Sequence, residues 1–182
     1  VHRIDMDTSG LLVVPRTPYA HASFSKLFKD HAIHKTYCAV VEGHTPQCGT
    51  IDLAIGRSPQ GNKMATFTNY VLSCPGSNRP KARYATTHYT TKRYYAAASL
   101  VEVTIITGRT HQIRVHFSSI GHPIVGDVVY GHPSKLISRQ ALHAYSLEFV
   151  FDEKKYSFCK EVPGDFQELL TTLSVPTHQS HQ

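Results

Sequence analysis

Apolar positions recur along this chain in two rhythms, and each rhythm predicts an element. LLVVPRT (residues 11–17) opens with four consecutive apolar residues and reads as a strand ended by Pro15 or Pro18, with Leu11 to Val14 in the core. AHASFSKLFKD (20–30) sets Phe24, Leu27 and Phe28 on one face of a helix. KTYCAVVEG (35–43) and TIDLAIG (50–56) read as the next two strands. PGSNRPKA (75–82) carries the turn residues of a surface loop, and ARYATTHYTT (82–91) alternates like a strand with one exposed face. SLVEVTIITG (99–108) alternates over a longer span and stops at Gly108. In THQIRVHFSSIG (110–121), Ile113, Phe117 and Ile120 stand at helical spacing, with Thr110 as N-cap and Gly121 as the stop. Two strands follow, ALHAYSLEFVF (141–151) and KKYSFCKEV (154–162), then a helix from Pro163 to Leu173. The tail SVPTHQSHQ (174–182) lacks a pattern and is expected to be disordered. Strands in succession with few helices between them predict an α+β fold on a mainly antiparallel mixed sheet with a few flanking helices.

Length and composition narrow this picture. A chain of 182 residues supports one well-buried core, here expected over residues 1–174. The formal charge of +6 favours a polyanionic partner such as nucleic acid. Cys38, Cys48, Cys74 and Cys159 stand far apart with no C-x-x-C pair, which argues for free thiols in a reducing compartment and against a disulfide framework. No apolar run approaches the roughly 18 residues of a membrane span, so the expected place is cytoplasmic, with an organelle still open.

Two segments concentrate charge. HRIDMDTSG (2–10) puts two bases and two acids beside the apolar residues 11–14, and a buried charge there needs a partner elsewhere. TGRTHQIRVHFSSIGHPIVGDVVYG (107–131) brings Arg109, His111, Arg114 and His116 onto or near a helix and returns through a loop bearing Asp127. On that helix residues 111 and 114 share a polar face opposite Ile113 and Phe117, so an arginine there can meet Asp5. Such a pair serves a site or merely ties two elements together, and spacing does not choose. The histidines lack metal-ligand spacing, and HExxH is absent. GxSxG, P-loop and GxGxxG patterns are absent too, while a ribonuclease using histidine or lysine as acid and base stays open.

HRIDMDTSGLLVV resembles the HRLDxxTSGLLL motif of the RluA family of pseudouridine synthases. KTYCAVVEG resembles that family's K-x-Y-x-A-x-V-x-G strand, and residues 107–131 are similar to its third motif almost throughout. LHAYSLEFVF and EVPGDFQELL look like its closing strand and helix, so the likeness covers residues 1 to 174. The resemblance implies an enzyme that isomerises uridine to pseudouridine in structured ribosomal or transfer RNA, as a monomer, with no cofactor, metal or obligate protein partner. It implies catalytic roles for Asp5, Tyr37 and Arg114. Asp5 would be the essential carboxylate, Tyr37 would lie against the target base and take part in proton movement, and Arg114 would orient Asp5. Arg3 would enter the RNA stack where the uridine is flipped out. His2, Thr8, Arg109 and His111, with Ser9 and Gly10, match motif positions expected to contact RNA or brace the loop, and Asp7 falls at a variable position. A non-catalytic RNA-binding protein that keeps the fold is the alternative. Family members carry a segment before the first motif, which here starts at residue 2, so an upstream portion, an S4-type domain among the options, is expected to be missing.

Overall fold

The computed structural model describes residues 1–59, 61, 63–68 and 82–175, which leaves Cys74, the turn-rich stretch before Ala82 and the tail beyond Val175 outside the description. In chain order the elements are β1 (Ser9–Gly10), α1 (Pro18–Lys29), β2 (His34–Glu42), β3 (Cys48–Asp52), β4 (Ala54–Arg57), β5 (Met64–Phe67), β6 (Thr86–Tyr94), β7 (Ala98–Ile105), α2 (Gln112–Ser119), β8 (Leu142–Phe151), β9 (Lys154–Cys159) and α3 (Gly164–Ser174). The main sheet runs β1-β8-β2-β7-β6-β3, with β9 also on β8, and β4 and β5 form a separate hairpin. Among the described residues only β1 pairs in parallel, so the sheet is mixed and mainly antiparallel, as the strand succession predicts.

Alternation along the strands decides where the core lies. Tyr37 pairs with Val103 and Ala39 with Val101, so their side chains share one face of the sheet. Tyr89 pairs with Val103 on the next strand, and its ring lies 5.2 Å from that of Phe117 on α2. That face therefore takes α2. Phe166 and Leu169 of α3 are fully buried in the same apolar cluster. A second, smaller cluster joins Phe24, Leu27 and Phe28 of α1 to Leu147 and Phe149 of β8, which is the helical face expected from residues 20–30.

Four sequence expectations need correction. Residues 11–17 do not form a strand, because β9 takes the edge of β8 from Ser146 onward and leaves only Ser9 and Gly10 a place beside His143 and Ala144. Leu11 and Val13 are half-buried, while Leu12 and Val14 are exposed. The apolar run 50–56 breaks at Leu53, where the chain leaves the main sheet for the hairpin and the freed Leu53 carbonyl lies 3.0 Å from His116 Nε2. Helix α2 starts without a Thr110 cap. His111 occupies that position in the left-handed region (φ 55°), and Gln112 Oε1 accepts from Arg109 N (3.0 Å) and the Thr107 hydroxyl (2.8 Å). Finally, α2 has no solvated polar face over its first two turns, since residues 112–117 are all buried, Arg114 and His116 included.

Gly10 shows how tightly the first strand is seated. Its φ is +112°, and a Cβ there would stand 2.2 Å from the Ala144 carbonyl oxygen. Gly10→Ala should therefore destabilise by at least about 1–3 kcal/mol from backbone strain alone, and by more if the strand is pushed off β8. Chemical denaturation checks this; a cost under about 0.5 kcal/mol would mean that the strand shifts freely.

Candidate active site

The loop that carries Asp5 is fastened from below by one short segment of chain. Gln140 donates Nε2 to Met6 O (2.6 Å) and to the Thr8 hydroxyl (3.2 Å). Arg139 donates Nη1 to Asp7 O (3.0 Å) while its Nε and Nη2 grip both oxygens of Asp165 on α3 (2.7 and 2.9 Å). Thr8 N closes a turn onto Asp5 O (3.1 Å), Asp7 takes a left-handed conformation (φ 67°), and Ser9 Oγ lies 2.8 Å from His143 Nδ1. These ties fix the chain from Asp5 to Ser9, so the Asp5 carboxylate points from a backbone held on its C-terminal side.

Behind Asp5 stands a guanidinium whose main partner is a different acid. Arg114 donates Nε and Nη2 to the two oxygens of Asp127 (2.7 and 2.9 Å), a bidentate fork, and only its Nη1 faces Asp5, at 3.6 Å. Asp127 is fully buried and also accepts from Val129 N (2.9 Å) and Tyr130 N (3.1 Å). Burial opposes its charge, but the hydrogen bonds and charge of Arg114 prevail and hold its carboxyl below the usual range. Burial likewise opposes the Arg114 charge, and Asp127 outweighs it, with Asp5 adding to the same effect. The Tyr130 ring lies 5.2 Å from the guanidinium, and its hydroxyl accepts from Met64 N of the hairpin (3.0 Å) and sits 2.8 Å from His111 Nδ1.

In front of Asp5 a cavity of about 460 Å³ opens to solvent between the first loop, α1, β2 and the start of α2. Tyr37 lines it. Burial, then the negative charge of Asp5, pushes the Tyr37 phenol up to about 12, so it keeps its proton through the neutral range. His2 also lines the cavity, stacked on Phe28 (4.3 Å) with Nε2 accepting from Val13 N (2.8 Å). Burial, then the nearby charge of Lys35, lowers its pKa to about 4. Because this folded-state value lies below the unfolded one near 6.5, the stability His2 contributes is present above about pH 6.5 and is lost as pH falls towards 4. The His2 imidazole should titrate near 4 by NMR, with the Val13 amide losing protection over the same range; a midpoint near 6.5 would show that the Val13 bond does not hold the ring.

A sequence profile described as RNA pseudouridylate synthase matches residues 1–119, which include Asp5, Tyr37 and Arg114. The chain belongs to the RNA pseudouridylate synthase family. It is 41% identical over 187 residues to ribosomal large subunit pseudouridine synthase D of Zymomonas mobilis, an alignment covering 96% of this chain and 56% of that protein. The solved structure of human RNA pseudouridylate synthase domain containing 1 superposes with a TM-score of 0.75 at 33% identity, covering 89% of this chain and 68% of that one. Human RNA pseudouridylate synthase domain containing 4 gives a TM-score of 0.69 at 25% identity, over 85% and 67%. The chain spans about half the length of the curated relatives it matches.

Within this pseudouridylate synthase fold the residues singled out by sequence take distinct places. Asp5, Tyr37, Arg3, His2, Thr8 and Arg109 all line the cavity, and Arg114 and His111 lie behind Asp5. Arg3 is exposed at the rim. His2 and Thr8 spend their polar atoms inside the fold, as loop bracing. Arg109 donates Nε to Tyr84 O (3.1 Å), and His111 is half-buried, burial lowering its pKa. Asp127 and Tyr130, which complete the surroundings of Arg114, carry no role in the reading of the sequence. The signal available for them was a buried arginine on α2 followed by a G-D-x-x-Y loop, since such an arginine demands an acid.

Proposed function

We propose that this chain catalyses the isomerisation of uridine to pseudouridine in structured RNA, with Asp5 as its essential carboxylate. The observation that carries the reading is the convergence, in one open cavity, of Asp5 from the first loop and Tyr37 from β2, with Arg114 of α2 directly behind the carboxylate. A binding module has no chemical need for that set. In the reaction the bond between uracil N1 and ribose C1′ breaks, a bond from C5 to C1′ forms, the C5 proton is released and N1 gains a proton. Asp5 supplies the carboxylate at the sugar or the base, and Tyr37, held protonated, offers its hydroxyl as a donor to the base. Arg114 is committed to Asp127 and keeps one nitrogen for Asp5, which orients the carboxylate without locking it in a tight pair. Arg3 would fill the stack left by a flipped base, a role supported by its exposure at the cavity.

The Zymomonas relative is named for the large ribosomal subunit, which favours ribosomal RNA as the substrate. The net charge of +6 supports a polyanionic partner. The test is pseudouridine mapping of ribosomal and transfer RNA incubated with the chain. New pseudouridine at a defined position supports the proposal. RNA binding without isomerisation would instead favour the non-catalytic reading, and strand scission would favour a ribonuclease.

A further inference from the structure

Among the described residues, Arg3, Lys29, Lys35 and Arg109 line the cavity against a single carboxylate, Asp5. Arg3 and Lys29 are exposed, and Arg109 is engaged with Tyr84 O. Lys35 differs from all three. It is half-buried on β2, and among the described residues no carboxylate pairs with it. Its Nζ lies 5.9 Å from the centre of the Phe28 ring and 3.5 Å from the point where a Cβ on Gly108 would stand. Burial depresses its pKa, the mark of an ammonium that has lost water and found no acid in exchange. An unpaired, partly desolvated cation costs stability, and one facing a cavity suggests an anion that arrives with the ligand.

The register indicates which part of a ligand that is. Lys35 and Tyr37 are two residues apart on a strand and so face the same way, with Cα atoms about 6–7 Å apart. The irregularity in pairing between Thr36 and Tyr37 leaves Tyr145 of β8 unmatched, so β2 keeps its alternation there. Uracil and ribose carry no charge, and the only anion in a nucleotide is its phosphate. We propose that Lys35 binds the phosphate of the nucleotide whose base lies against Tyr37, which would make it a substrate-binding residue of the cavity. This rests on the synthase reading above. A Cβ at Gly108 would stand in ordinary van der Waals contact with the ammonium, which places the Lys35 head group beside the backbone at the start of the Arg109 loop.

Uridine, uridine 5′-monophosphate, uridine 3′-monophosphate and inorganic phosphate can be titrated into the full chain carrying carbon-13 at the lysine Cε. The wild type should bind one of the monophosphates about tenfold or more tightly than uridine, and the Lys35 signal should move on binding. Lys35→Met should bind uridine as the wild type does, lose the preference for phosphate, and melt at a higher temperature, because an apolar side chain replaces an unpaired cation. On RNA its salt dependence should be shallower by about 0.7 in log–log slope. A retained preference in Lys35→Met, an absence of saturable monophosphate binding to the wild type, or inorganic phosphate binding as tightly as the nucleotides would each overturn the assignment. Pseudouridine formation by the wild type, measured in parallel, separates the two readings. Its presence with a retained preference in the variant removes only the phosphate assignment, and its absence removes the synthase reading.

Discussion

Asp5→Asn should abolish pseudouridine formation, by more than about a thousandfold, while RNA affinity stays within a few fold. The amide keeps the shape of the side chain and its place beside Arg114 Nη1, but it supplies no carboxylate to the reacting sugar or base. Tritium release from RNA labelled at uracil C5 measures it directly. Asp7→Asn is the matching control and should leave the rate unchanged, since Asp7 is exposed, lends only its backbone carbonyl to Arg139, and sits at a positive φ that asparagine adopts readily. Turnover retained by the Asp5 variant would remove the carboxylate from the mechanism.

Arg114→Met should carry the largest stability cost, about 3–5 kcal/mol, along with loss of activity. The residue left exposed to that loss is Asp127, which keeps its two backbone donors but loses the bidentate guanidinium while fully buried. The pH dependence follows from the sign of its shift. In the wild type the Asp127 carboxyl is held below its unfolded value, so its contribution is present above about pH 4 and falls away below. In the variant a lone buried carboxylate gains by taking up a proton, so the stability gap should narrow as pH drops. Replacing Asp127 by leucine in the same variant should recover much of the stability and none of the activity. A cost under about 1 kcal/mol for Arg114→Met would show that water takes over the pair.

How far the sequence reached depended on whether the deciding contact was local. Helix α1 and strands β2, β7 and β8 were legible because each carries its own periodicity, and the charged cluster at 2–10 called for a partner elsewhere in the chain, which Asp5 finds in Arg114. The strand expected at residues 11–17 failed because nothing in an apolar run reveals that another strand, β9, competes for the same edge of β8. The corner at Leu53 was hidden for a related reason, since the apolar positions continue across it and only the buried His116 marks the break. At the site, Asp5 and Arg114 were read as one pair. The fork to Asp127 depends on a loop that folds back over 13 positions, and sequence spacing shows the acid without showing the angle at which it meets the guanidinium.

The join between β1 and β8 bears on the order in which the molecule folds. Ser9 and Gly10 pair with His143 and Ala144, and the side-chain ties from Gln140 to Met6 and from Arg139 to Asp7 close loops of 134 and 132 residues. Closing loops of that length is entropically costly and is repaid by only a few bonds, whereas β2, β7 and β6 meet through many pairs at shorter range. The sheet should therefore assemble ahead of the loop that carries Asp5, with the carboxylate among the last groups to reach its place. A molecule stopped just short of that step would have its full complement of central strands and an unformed Asp5 loop, so spectroscopic recovery of secondary structure on refolding should run ahead of the recovery of pseudouridine formation.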